Sequence, residues 1–377
     1  MTTLFNRVGP RELITSNIIF LLTLAIIFVG DFVKLHIFLF FPIYLFIISF
    51  RYVGDFKLQS AETISALVMA ITFVTIMLAN ASSVSWYYFS LMFSVLFIFV
   101  IPMIEWLLKR SEITYFCAAI LLMMLPPAVL SITEGDIRSS IIFGPNVYYR
   151  IIGYLNIMFV LISFRTGKLR NYRFLVLLIS VVILLSTGSR GAGFVVLLLL
   201  VLHVKVTYID FRTGVFRVVL LFVSLGGGFL YFQEKLFERF WRFFYFSLEN
   251  SSLQVRASFF SDFLDYLKIL DIGDLLFGDG ESERVFSFYP HNIFLESFVY
   301  HGIFVSFIFV AYLFIFLYAL YKPLNAGNRN LNLVLLFSPI FLGSISSGNF
   351  FEAYTVAAVS IFVMARRVVN MAYRRRS

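Results

Sequence analysis

Residues 293–320 read IFLESFVYHGIFVSFIFVAYLFIFLYAL. Among these 28 residues one side chain, Glu296, carries a charge at neutral pH. About 20 consecutive apolar residues suffice for a helix to cross the hydrocarbon core of a bilayer. The stretch therefore predicts a membrane span, and the rest of the chain repeats the pattern. Of 377 residues 60% are hydrophobic and 14% charged, with 49 Phe and 20 Tyr. Soluble chains average about 45–50% apolar and about 25% charged. A soluble globule with this composition could not wet its surface, and a disordered chain could not keep so many aromatic rings solvated. The fold class predicted is all-α: a polytopic membrane bundle of about twelve helices.

A hydropathy window of about 19 residues places the spans near 13–33, 35–51, 61–79, 84–108, 113–132, 147–164, 172–187, 191–209, 213–233, 293–320, 331–347 and 350–369. The first opens on polar Thr15, Ser16 and Asn17 and lacks a small-residue cleavage site, so it is read as a retained span rather than a signal peptide. The chain then divides into 1–233 with nine spans, a polar loop at 234–290, and 291–377 with three spans and a basic tail. Within the loop, apolar periodicity at Phe259, Phe263, Leu264, Leu267 and Leu270 predicts an amphipathic helix over 253–270, lying on or capping the bundle.

The net charge of +9 is explained by topology. With the N-terminus inside, inner segments collect 20 Lys and Arg, including Lys109, Arg165, Arg173, Lys205, Arg329 and Arg366. Short outer segments hold four: Lys34, Arg138, Arg150 and Arg190. Six more lie in the long loop, which is net acidic and too long for the rule to count. Such a bias predicts both termini in the cytoplasm. No basic run has the interleaved polar residues of a nucleic-acid groove, so nucleic acid is not an expected partner. Cys117 is the single cysteine, which excludes an intrachain disulfide and a thiolate metal site.

Three features gather on the predicted outer face. Thr187-Gly188-Ser189-Arg190-Gly191 joins two spans; its N–H groups and the Arg190 fork could cradle an anion, or the segment is a tight turn whose Arg snorkels to headgroups. Pro290-His291-Asn292 precedes Ile293-Phe294-Leu295-Glu296 at a span mouth. His291 could accept a proton there, and the Glu296 carboxylate, one turn deeper, asks for a cation, with Arg190, Arg150 and Arg256 as candidates. Phe143-Gly144-Pro145-Asn146 is followed by Arg150 one turn into the sixth span. Snorkelling, or plain surface solvation for Arg256, is the competing account of these arginines. His36, His203 and His301 lack ligand neighbours and read as core or interfacial. Glu134 and Asp136 make a weak carboxylate pair, and no nucleotide-binding or hydrolase motif is present.

In combination these residues resemble a known family. TGSRG between two spans, a long external loop with Arg256 early and Leu276-Phe277-Gly278-Asp279-Gly280 late, then His291-Asn292 leading to Leu295-Glu296, is similar to the O-antigen polymerase and ligase superfamily of bacterial membrane glycosyltransferases. The similarity covers roughly 143–305. In the ligase branch a His-Asn pair is followed after nine residues by Gly, then by two more residues and a small residue or Tyr. Gly302 fits this pattern and Val305 departs from it, which with FGPN and Arg150 favours polymerase over ligase. The resemblance implies a GT-C-like bundle in the bacterial inner membrane. It further implies metal-independent, inverting transfer of sugar chains between undecaprenyl-pyrophosphate-linked donor and acceptor at the periplasmic face, without a cofactor. Arg190 and Arg256 would grip the pyrophosphate and His291 would be catalytic. Asn292, Ser189, Arg150, Asn146 and Glu296 are expected around the substrate, and a chain-length regulator is a possible partner. A flippase or twelve-span carrier is the other class. It fits less well, because such carriers place their long loop centrally and inside, and because 52–62 lacks a basic Gly-Asp-Arg signature.

Overall fold

A computed structural model describes residues 10–28, 97–134, 144–209, 251–278, 292–346 and 354–374, with five positions between 64 and 71. The spans expected at 35–51 and 213–233 lie outside the described residues, as do most of 61–79 and the first part of 84–108. Among the described residues the ordered elements are all helical: α1 (Pro10–Phe28), α2 (Ile101–Leu107), α3 (Glu112–Glu134), α4 (Gly144–Thr166), α5 (Arg173–Ser186), α6 (Arg190–Ile209), α7 (Ser251–Ile269), α8 (Ile272–Phe277), α9 (Ile293–Tyr321), α10 (Arg329–Ser346) and α11 (Tyr354–Arg374). The helix predicted over 253–270 is α7. Among the described residues three segments are long and apolar enough to cross a membrane: Glu112–Ile132, Asn146–Thr166 and Ile293–Tyr321. α5, expected as a span at 172–187, has 14 residues and reaches about 21 Å, short of the ~30 Å hydrocarbon thickness.

α4 is the hub. It packs against α3, α5, α6 and α10, so it is buried on nearly every side, from Tyr149 through Ile162. Gly153 makes two of these contacts possible: a Cβ there would lie 2.7 Å from Pro339 of α10 and 2.7 Å from Val195 of α6. Lipid is as apolar as a leucine side chain, so close packing and interhelical hydrogen bonds hold such helices together. Asn156, fully buried, donates to Ser180 Oγ at 2.8 Å and ties α4 to α5. An edge-to-face ring chain crosses the core from Phe28 to Tyr154, Phe337, Phe97 and Tyr354, with centroids 5.6–5.8 Å apart. Each such pair contributes about 0.5–1.5 kcal/mol beyond its area.

The helices alternate in direction, which gives the bundle two chemically distinct ends. At one, Arg173 Nε donates to Ser163 Oγ at 2.8 Å. Lys205 Nζ caps the last carbonyls of α9, at Ala319, Leu320 and Lys322. Arg366 grips Glu105 with both terminal nitrogens, at 2.5 and 3.2 Å. Lys109, Arg165 and Arg329 line one cleft there. Six of the residues that charge sorting assigned to the inner side, Lys109, Arg165, Arg173, Lys205, Arg329 and Arg366, share this end. Asn146, Arg150, Ser189 and the first turns of α9 lie at the other, through the contacts described next.

Candidate functional site

Thr187 closes α5, its hydroxyl donating to Leu184 O at 2.7 Å. Gly188 turns the chain at φ 58°, a conformation that favours glycine. Ser189 O then accepts from Ala192 N as α6 begins at Arg190. TGSRG is therefore a tight turn between two helices, with Arg190 in the first position of the second. Its side chain lies outside the described part of the structure. Ser189 Oγ donates to Asn146 Oδ1 at 3.3 Å, so the turn meets the FGPN segment that opens α4.

One turn further along α4, Arg150 is 2% exposed. It does not snorkel to the surface. Its guanidinium lies over the Tyr149 ring, 5.8 Å from the centroid. Gly343 of α10 leaves the room: a Cβ there would stand 2.5 Å from Arg150 Nε and 2.7 Å from the Tyr149 hydroxyl. A buried guanidinium in a bundle is costly and marks a functional-site candidate. Phe294 reaches the same stretch of α10, its ring 6.1 Å from that of Phe341.

α9 is two helices. Gly302 interrupts it at φ 70°, ψ −169°. The part from Ile303 to Tyr321 still spans about 28 Å at 1.5 Å per residue, close to the ~30 Å of a bilayer core, and the part before it is a separate half-helix. Asn292 caps that half-helix, its Oδ1 accepting from Phe294 N at 3.0 Å and Leu295 N at 3.3 Å. The Asn292 side-chain oxygen is thus committed to the backbone, which leaves the Nδ2 amide as its free polar group. Glu296 is fully buried one turn in, and His301 is 1% exposed just before the break. The break is bridged by hydroxyls: Ser306 Oγ donates to Gly302 O at 3.0 Å and sits 3.1 Å from Ser297 Oγ.

The polar loop supplies the cover. Phe259 and Tyr266 of α7 pack with Leu295 and Val299 of α9, and Phe263 meets Phe298 edge-on at 5.3 Å. α8 is capped by Asp271, whose Oδ1 accepts from Asp274 N at 2.8 Å. It ends at Gly278, φ 80°. A Cβ on Gly278 would overlap the backbone of Tyr300 and His301, and one on Gly302 would overlap the Leu276 carbonyl. LFGDG and the Gly302 break are thus two halves of one backbone contact. The residues between Gly278 and Asn292, 279–291, lie outside the described part of the structure.

The structure therefore brings together Asn146, Ser189 and Arg150, and joins the α7–α8 cover to the half-helix that carries Asn292 and Glu296. His291 lies outside the described residues, and of Arg256 only its place on α7 is described, one turn before Phe259. The sequence pointed to LFGDG and Gly302 separately but not to their contact; two glycines in otherwise apolar surroundings are the signal that could have suggested it. Glu296 and His301 lie on the same half-helix and are both buried; the full burial of Glu296 was not legible, because hydropathy does not say which face of a span meets protein. Among the described residues no group of three metal-ligating side chains occurs. Fold and composition define an all-helical protein of membrane character. Compared with protein-family models, curated proteins and solved structures, the chain matches none.

Proposed function

We propose that the chain is a polytopic glycosyltransferase of the bacterial inner membrane, with about twelve spans and both termini cytoplasmic, that polymerises surface polysaccharide. Donor and acceptor are repeat units carried on undecaprenyl pyrophosphate. An acceptor sugar hydroxyl attacks the donor anomeric carbon. The new glycosidic C–O bond forms as the bond to the pyrophosphate oxygen breaks, with inversion at that carbon. The hydroxyl proton passes to His291, and the lipid pyrophosphate departs with its charge neutralised by Arg190 and Arg256. Pyrophosphate is already a good leaving group, so the protein's contribution is positioning and charge stabilisation. Bidentate guanidinium–phosphate contacts suit that task.

What carries this reading is the convergence of separate sequence motifs at one end of the bundle. FGPN meets TGSRG through Asn146 and Ser189, and LFGDG locks onto the helix that follows His291-Asn292 through Gly278 and Gly302. A buried arginine at that same end, Arg150, adds fixed positive charge where a pyrophosphate would sit. The alternative acceptor is lipid A core, which would make the protein a ligase. The test is the product in a strain lacking the gene. Single repeat units on the core indicate a lost polymerase, and bare core a lost ligase. Cytoplasmic accumulation of the lipid-linked unit would indicate a flippase and overturn the glycosyltransferase assignment.

A further inference from the structure

At the opposite end from the motifs, a small half-open cleft is lined by Glu105, Leu108, Lys109, Leu161, Arg165, Ala326, Arg329 and Asn332. Its cations come from three places in the chain: the turn after α2, the last turn of α4 and the first residue of α10. Its single carboxylate is already taken. Both Glu105 oxygens accept from Arg366, which also donates to Asn330 Oδ1 at 3.3 Å. Among the described residues, Lys109, Arg165 and Arg329 form no ion pair, so three positive charges face one space. Partial burial, then the charges of Arg329 and Arg165, holds the Lys109 ammonium below its ordinary pKa. The wall is fixed by Asn332, whose Nδ2 donates to Asn325 O and Ala326 O at 3.4 Å each. The floor, Leu108 and Leu161, is apolar and buried.

Clustered cations over an apolar floor at a helix-bundle end fit one ligand chemistry: a phosphate anion with a lipophilic attachment. We infer that Lys109, Arg165 and Arg329 form a binding site for a phosphate group, supplied by the headgroup of an anionic lipid. The site is separate from the proposed catalytic end and does not depend on the glycosyltransferase assignment.

The test uses the full chain purified in detergent. Native mass spectrometry compares retention of phosphatidylglycerol and phosphatidylethanolamine, and thermal unfolding is measured with inorganic phosphate against chloride at equal ionic strength. Wild type should retain phosphatidylglycerol preferentially. Each cation near an anionic surface contributes about fivefold, so Arg165→Gln/Arg329→Gln should lower retention about 25-fold. Lys109→Gln, in an exposed turn, gives a second variant expected at about fivefold should the double variant not fold. Stabilisation of lipid-free protein by inorganic phosphate, lost in the same variants, would uphold the phosphate site and reassign its source to a soluble compound. Equal retention of both lipids without phosphate stabilisation, or retention unchanged in the variants, overturns the proposal.

Discussion

Gly302→Ala probes the contact that ties the α7–α8 cover to the bundle. At φ 70°, ψ −169° the residue occupies a region that glycine almost alone visits, at a cost of about 1–3 kcal/mol for other residues. The added Cβ would also overlap the Leu276 carbonyl and approach Phe277 N to 2.5 Å. Both are backbone atoms that cannot rotate aside, and overpacking of this kind costs about 1–3 kcal/mol. The sum, about 2–6 kcal/mol, is limited by the cheapest escape. That escape is release of α8, six residues long, rather than unfolding of the α4-centred core. Taking about 3 kcal/mol, the docked population should fall on the order of a hundredfold. Hydrogen exchange in detergent should show amides of 272–278 exchanging about a hundredfold faster, with α4 and α10 as in wild type. Gly278→Ala should do the same, because its Cβ meets Tyr300 and His301 from the other side. The double variant should add little to either single change, since one contact is being broken twice. Exchange over 272–278 unchanged in Gly302→Ala would refute the argument that this close approach holds the helix break.

Arg366→Met should lower the thermal midpoint sharply, because removing one partner from a buried pair costs about 3–5 kcal/mol. Glu105→Leu combined with Arg366→Met should recover most of that loss in the same unfolding assay. Asn292→Ala should cost about 1 kcal/mol through loss of the cap. Asn292→Asp keeps the capping oxygen and hence the stability, but should reduce polymer formation if the Nδ2 amide holds a sugar. His291→Ala, Arg190→Ala and Arg256→Ala should each abolish chain extension on polysaccharide gels while membrane insertion persists; a full-length ladder counts against that residue. Lys109 has a lowered folded pKa, so the unfolded chain binds more protons in the window between that value and the ordinary 10.5 of a lysine. Stability should therefore rise with pH through that window, and Lys109→Gln should remove the rise in pH-dependent melting curves.

The parts of the fold legible in the sequence are those that hydropathy encodes directly. The expectations at 113–132, 147–164 and 331–347 correspond to Glu112–Glu134, Gly144–Thr166 and Arg329–Ser346. Period and amphipathicity likewise located α7, because a helix packed on one side must alternate its faces. What hydropathy cannot encode is which span is surrounded by protein. α4 and α3 have similar apolar sequence, yet α4 is nearly all buried, while Tyr115, Leu122 and Met123 of α3 are exposed. That difference decides the fate of Arg150. On an outer helix a long cation one turn from the end reaches the headgroups, which is why snorkelling was the competing expectation. On the hub helix it has no such route, and Gly343 on the facing helix gives it space inside. The glycine and the arginine are 193 positions apart, so no local pattern joins them.

The same reasoning separates the two roles of charge in this molecule. At the basic end, three of the cations crowd one cleft, and Arg366 offsets the single acid there. At the motif end a buried arginine and a buried glutamate, Arg150 and Glu296, sit on helices that meet the same stretch of α10. Charge at the first end agrees with the sidedness expected in a membrane: Lys109, Arg165 and Arg329 line a half-open cleft, and the buried Arg366 is paired with Glu105. At the second end the ionisable groups are buried, where such a group is costly and takes a partner or a ligand. Selection for topology alone would place such residues in the loops. Their burial on α4 and α9, next to a helix break where two glycines meet backbone, is the physical reason to probe that end first.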